Sequence, residues 1–232
     1  MVGSTPTSPT LMRINVFLAQ QLGISRRAAD KLIADKKVQV NGSLAKLGQL
    51  VDPAKDRVSA NGKTLQSKQK ESITVALYKP KGYITTRSDP KKRKIVMSLL
   101  PREFQDLKPA GRLDYESEGL LVLSNKGDLI YKLTHPKYEK QKEYRLVFKK
   151  AVSKELINAF LKGIRLTEGI AKADKVTQID KNELEVIMHQ GWNRQLRRMA
   201  EACHYEIAHL IRTRIGDIKL ENLKPGEWRK IK

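Results

Sequence analysis

One cysteine, Cys203, stands in 232 residues, so no internal disulfide can form and a reducing compartment, the cytoplasm, suits the chain. The four histidines, His135, His189, His204 and His209, lack metal-gripping spacing such as HExxH and read as surface or packing residues. There is no glycine-rich phosphate loop, and no stretch approaches the ~20 consecutive apolar residues of a membrane span. Residues 1–11 are rich in Ser, Thr and Pro without an apolar core or arginine enrichment, which excludes a secretory or mitochondrial signal and leaves a disordered leader. Acidic residues are also few, 25 against 46 Lys and Arg, for a formal net charge of +21. Solubility alone asks for a net charge of about 2–8 in a small domain. A larger excess repels itself unless a polyanion compensates it, and nucleic acid is the partner this balance favours. Apolar residues make up 40% of the chain, enough for a proper core.

The basic excess is densest at the front: residues 1–70 carry 12 basic and 4 acidic side chains, residues 71–232 carry 34 and 21. Ile14, Phe17, Leu18 and Leu22 recur at helical spacing, and Gly23 is a helix stop. Ser25 caps a second helix with Ala29, Leu32 and Ile33 inward. Val38 and Val40 lead into Asn41-Gly42, and Val58 into Asn61-Gly62, two hairpin signals. The polar run from Lys63 to Ser72 reads as a linker. Beyond it, strands are expected over 73–78, 120–123, 144–148, 184–188 and 205–211. Helices are expected over 95–100, 128–133, from a Ser153 cap to Gly163, and over 193–203, the last strongly basic. Without regular βαβ alternation this mixture is α+β. Cys203 reads as a small buried apolar residue and Trp228 as core.

With so little else available, any chemistry falls to a carboxylate, and Asp114 is the best placed. Gly111-Arg112-Leu113-Asp114-Tyr115-Glu116-Ser117-Glu118-Gly119 sets it in a glycine-flanked turn directly before the apolar run Leu120–Leu123. On its own, the Asp114, Glu116, Glu118 set reads more readily as a solvated acidic turn than as a catalytic one.

The ordered set of motifs says more. Arg13, Gly23–Ile33 and Val38–Gly42 resemble an S4 RNA-binding domain. Ala110–Asp114 with Gly119-Leu120-Leu121 is similar to the catalytic motif of pseudouridine synthases, closest to the RsuA-type family acting on ribosomal RNA. Tyr78–Gly82, Lys142–Val147 and Gly191–Met199 follow in the family's order. Trp192 and His204 depart from its pattern, His204 standing where a helix-ending glycine is common.

The resemblance implies a leader over 1–11, an S4 domain over 12–62, a linker over 63–72 and a catalytic domain over 73–232 built on a long, mixed, mainly antiparallel sheet. It implies conversion of uridine to pseudouridine in ribosomal RNA, without cofactor or metal, by a monomer reading a structured stem-loop; the motif around Trp192 leans toward 23S rRNA. Asp114 becomes the catalytic carboxylate, attacking C1′ or acting as a base at C2′. Tyr144 stacks on the flipped uracil and assists at C5, where the alternating pattern alone gives half-buried packing. Arg197 pairs with Asp114, with Arg194 as the second choice; Arg194, Arg197 and Arg198 otherwise make a phosphate-binding helix face. Arg112 fills the gap left by the flipped base. Arg13, Ser25, Arg26, Arg27 and Lys31, with Arg112, Arg194 and Arg198, contact RNA. The rivals are a non-catalytic ribosome assembly factor that keeps the fold, and a synthase acting on 16S rRNA or tRNA.

Overall fold

The computed structural model describes residues 11–65 and 71–231. The expected leader lies outside the described residues except for Leu11, as do residues 66–70 of the expected linker. The chain divides into two compact units, with the boundary between Glu71 and Ser72.

In the first unit, β1 (Met12–Arg13) leads into α1 (Ile14–Leu22), which Gly23 ends in the left-handed conformation at φ 68°. Ser25 caps α2 (Arg26–Ala34), its hydroxyl accepting from the Ala28 amide at 3.1 Å. The strands β2 (Val38–Val40), β3 (Ser43–Leu44), β4 (Leu50–Val51), β5 (Val58–Ala60) and β6 (Lys63–Leu65) follow. They form a four-stranded sheet in the order β3-β2-β5-β6 and a separate β1–β4 pair. Both hairpins turn through Asn-Gly pairs with positive φ at each residue, 52° and 84° at Asn41-Gly42 and 50° and 77° at Asn61-Gly62, as a tight two-residue turn requires. Ile14, Phe17, Leu18, Ala29, Ile33 and the inward valines form the core. The sequence reading begins a linker at Lys63. The chain instead continues as β6, because Ala60 and Val58 offer it a ladder to pair with.

The second unit holds β7 (Thr74–Lys79), β8 (Lys108–Pro109), β9 (Glu118–Ser124), α3 (Gly127–Thr134), β10 (Lys142–Phe148), α4 (Lys154–Lys162), β11 (Ile164–Leu166), β12 (Gly169–Ala171), β13 (Lys175–Asp180), β14 (Glu183–Met188), α5 (Gln195–Ala202), β15 (Ile207–Ile215), β16 (Ile218–Lys219) and β17 (Trp228–Lys230). Nine strands form one sheet, β13-β14-β10-β15-β9-β7-β17, with β16 on β15 and β8 on β9; β11 and β12 form a hairpin of their own. Every ladder is antiparallel except β15–β9. The α+β, mainly antiparallel expectation holds.

β9 is apolar without alternation because both faces are covered. Leu121 and Leu123 pack with Val96, Phe104 and Leu107 on one side, while Leu120 and Val122 meet Leu133, Ile215 and Leu220 on the other. A third cluster joins β10 and β14 to α4 and α5 through Leu146, Phe160, Val186, Leu196 and Met199. Trp228 is half-buried, edge-on to Phe104 at 5.0 Å. Cys203 is half-exposed just past α5, not buried, because the chain leaves the helix there. His204 then takes the left-handed conformation, φ 61°, in the place where a glycine was the expectation. Among the described residues no helix is long and apolar enough to cross a membrane.

The parallel β15–β9 ladder is only two residues long, Ile211↔Glu118 and Arg212↔Gly119. A Cβ on Gly119 would stand 2.7 Å from the Arg212 amide nitrogen, and its φ of 97° disfavours any side chain. Gly119→Ala should therefore cost about 3 kcal/mol, combining overpacking with backbone strain. Thermal unfolding checks this; a melting temperature within a degree of wild type refutes it.

Candidate active site

Asp114 lies on a turn whose backbone carbonyls are all engaged. Thr85 Oγ1 donates to Leu113 O at 2.8 Å, and the Ser117 amide donates to Asp114 O at 3.1 Å. The Gly82 amide donates to Tyr115 O at 2.9 Å. Arg197 Nη2 donates to Glu116 O at 3.0 Å, and Lys79 Nζ to Ser117 O at 2.6 Å. With five successive carbonyls held, the turn has little freedom to move, and the Asp114 side chain projects from a fixed base.

Lys79 is the residue that sequence reasoning missed. Its side chain is fully buried, and its ammonium also reaches Pro80 O at 3.1 Å and Tyr115 O at 3.5 Å. Burial pushes its pKa down to about 8, while the charges of Asp114 and Glu118 pull it back upward. Its place at the end of an apolar strand before a proline was the available signal, since a lysine there has no water to turn to.

The expected Arg197–Asp114 ion pair does not form. Arg197, buried on α5, spends its fork on backbone, donating to Glu116 O and, at 3.0 Å, to Ile207 O. Burial lowers its pKa, and the charges of Glu116 and Asp114 oppose that fall. Asp114 is thus within its field without being its partner, and among the described residues its carboxylate accepts no hydrogen bond and joins no ion pair. Its neighbours are paired: Glu116 with Arg194 at 3.1 Å, and Glu118 with His209 at 2.9 Å and Lys81 at 3.5 Å. The Arg194 bond is also the main cause holding the Glu116 carboxyl below its ordinary range.

Arg194 starts α5 from the left-handed conformation, φ 48°, so the helix begins at Gln195 rather than at Asn193. The Gln195 side chain explains this, since its Oε1 accepts from the Trp192 amide at 3.0 Å and its Nε2 donates to Gln190 at 2.7 Å. Arg198, expected at RNA, is taken by Glu168 on the β11–β12 turn in two hydrogen bonds of 2.9 and 2.7 Å. Arg112 is exposed at the start of the Asp114 turn.

Tyr144 is buried on β10, and the register sets it opposite Arg212, itself opposite Gly119 at the end of the Asp114 turn. The buried Arg212 donates Nε to Leu120 O at 2.8 Å and stands opposite Tyr144 in the ladder, and its Nη2 has no partner among the described residues. Arg212 too was missed, hidden in a strand whose end the sequence pattern set at Ile211. A cavity of about 460 Å³ opens on Glu116, Arg194, Arg197 and Lys81; neither Asp114 nor Tyr144 lines it.

The sequence profile described as RNA pseudouridylate synthase matches residues 73–202, more than half of the chain. The chain belongs to that family. The S4 domain profile matches residues 12–58. The synthase is 38% identical to the ribosomal large subunit pseudouridine synthase B of Bacillus subtilis, over 94% of this chain and 91% of that protein. It is 34% identical to the dual-specificity RNA pseudouridine synthase RluF of Escherichia coli, over 95% of this chain and 75% of the other. A crystal structure of a pseudouridylate synthase superposes with a TM-score of 0.68 at 27% identity, covering 95% of this chain and 96% of that one.

On the S4 unit of the synthase, Arg13, Arg26, Arg27 and Lys31 are exposed and carry no ion pair among the described residues. The Ser25 hydroxyl is occupied as the α2 cap.

Lys79→Met should leave the Ser117 carbonyl unsatisfied in a dry site, loosening the turn and lowering turnover at least tenfold with little change in RNA affinity. Its pH signature has a definite sign. The folded synthase releases the Lys79 proton at about 8, whereas the unfolded chain holds it to about 10.4. Between those values the unfolded state binds more protons, so wild type should gain stability relative to Lys79→Met as pH rises. Urea titrations at pH 7 and 10 measure the difference; an unchanged gap would mean that Lys79 is not buried as an ammonium.

Proposed function

We propose that the synthase isomerises uridine to pseudouridine in ribosomal RNA, most specifically that of the large subunit, with Asp114 as the catalytic carboxylate. It acts as a monomer on a structured stem-loop, in the reducing cytoplasm that suits its single thiol. The observation that carries the reading is the held turn, whose five engaged carbonyls fix an unpaired carboxylate among paired ones. Relatives whose names refer to the ribosomal large subunit support the substrate.

The reaction breaks N1–C1′, joins C5 to C1′, moves a proton off C5 and returns one to N1. The target base must leave its helix to be reached. Asp114 either adds to C1′ or removes a proton from C2′, and both routes need a carboxylate not already tied to a cation. Arg197 acts as a positioning residue: it holds Glu116 O and contributes positive potential without quenching the carboxylate. Tyr144 packs its ring against the uracil. Arg212, opposite Tyr144 in the ladder, brings a buried positive charge to that end of the site. Arg13, Arg26, Arg27 and Lys31 hold phosphates, which fix register without reading sequence.

Two outcomes are expected. Asp114→Asn should abolish tritium release from [5-³H]uridine-labelled 23S rRNA while changing RNA affinity by less than about tenfold (1.4 kcal/mol); full activity in the variant removes Asp114 from the chemistry. Replacing Arg26, Arg27 and Lys31 together with Ala should flatten the slope of log Kd against log salt by about two to three, because each lost phosphate contact removes about 0.7–0.9. A slope equal to wild type would take that helix face off the RNA.

A further inference from the structure

The catalytic unit carries a group of exposed rings that no core explains. Tyr131 on α3 and Tyr138, in the short turn of 3-10 helix at Pro136–Tyr138, are 43% and 36% exposed. Their ring centroids lie 5.7 Å apart at right angles, and His135 lies 4.6 Å from Tyr131. The Lys137 ammonium sits over both tyrosines, 5.1 and 4.9 Å from their centroids. The arrangement is held locally. Tyr131 and His135 are one helical turn apart, and His135 Nδ1 accepts from the Lys137 amide at 3.2 Å. Of α3 only Leu133 is buried, so the rings do not serve the sheet beneath. Scattered surface aromatics are ordinary, but an exposed Tyr131 packed on both His135 and Tyr138, with one cation over both tyrosines, is not.

Their position matters. Thr134, the last residue of α3, has its Cγ2 3.5 Å from where a Cβ on Gly111 would be. Gly111 precedes Asp114 by three residues, at most about 11 Å of chain. The cluster therefore flanks the start of the catalytic turn, beside the exposed Arg112, with Lys132 also exposed nearby.

We propose that Tyr131, His135 and Tyr138 form a stacking platform for an unpaired RNA base adjoining the target uridine, with Lys137 supplying charge beside it. This rests on the reading of the protein as a synthase acting on structured RNA. Flipping one nucleotide unstacks its neighbours, and an aromatic surface at the edge of the site restores a stack for any base, because every base has a π-face. The platform thus helps to hold the opened loop and takes no part in the bond changes.

The test uses the full-length protein and a 23S rRNA transcript. Tyr131→Ala with Tyr138→Ala should raise Kd and KM about tenfold or more, with kcat within twofold of wild type. The slope of log Kd against log salt should not change, because no phosphate contact is removed. Tyr131→Phe with Tyr138→Phe keeps the rings and should bind as wild type does. Circular dichroism and melting temperature report whether each variant is folded, and both positions are exposed. Affinity within twofold of wild type in the Ala pair overturns the proposal, as does a Phe pair that is as weak as the Ala pair. If wild type binds rRNA but releases no tritium, the functional reading fails, and the binding comparison still decides the platform by itself.

Discussion

The site depends on a buried ammonium among backbone carbonyls. Lys79 ends β7 with no access to water, and the groups that satisfy it are the carbonyls of Pro80, Tyr115 and Ser117. A lysine without them would be expelled or neutralised, and a turn without the lysine would leave its carbonyls orphaned in a dry interior. The two requirements meet at one geometry, which fixes where the chain passes Asp114. Thr85, Gly82 and Arg197 then complete the same surface from three further segments.

The sheet explains why so many segments converge. β15 and β9 run parallel with two pairs of partners, the ladder crossing at Gly119 where only a residue without a side chain fits. On one side of this junction lies β10 with Tyr144, and on the other β9 with the Asp114 turn. Arg212, on β15 between them, bonds Leu120 of β9 and stands opposite Tyr144 of β10 in the ladder. A buried guanidinium is costly without hydrogen bonds, so the Nε bond to Leu120 O holds Arg212 against β9 while its own strand pairs with β10.

Most of the fold was legible in the sequence because its signals are local. Ser25, Ser153, Gly23 and the two Asn-Gly pairs act within a few residues, and α1, α2, α4 and both hairpins stand where those signals place them. What local signals could not give is anything decided by a distant partner. Lys63–Leu65 reads as polar linker but pairs with β5; the polar β13 depends on β14; β15 continues past Ile211 because β10 runs alongside it. The same division holds in the site. The motif picks out Asp114, whereas the contacts of Arg197 with Glu116, Arg198 with Glu168, Lys79 with Ser117 and Arg212 with Leu120 span 30 to 92 positions and leave no local mark.

With Asp114 in the catalytic role proposed for it, a direct Arg197–Asp114 pair would be the poorer design. In a chain of net charge +21 cations are plentiful, and each acidic neighbour of Asp114 has taken one: Arg194 at Glu116 and Lys81 at Glu118. A bidentate arginine on Asp114 would occupy both carboxylate oxygens, and any approach to the sugar would first have to break it. Holding Arg197 on the Glu116 carbonyl instead keeps its charge nearby, yet leaves the carboxylate oxygens open. The arrangement reconciles two opposed demands, since the RNA phosphates that the positive surface attracts would otherwise repel the carboxylate meant to work among them.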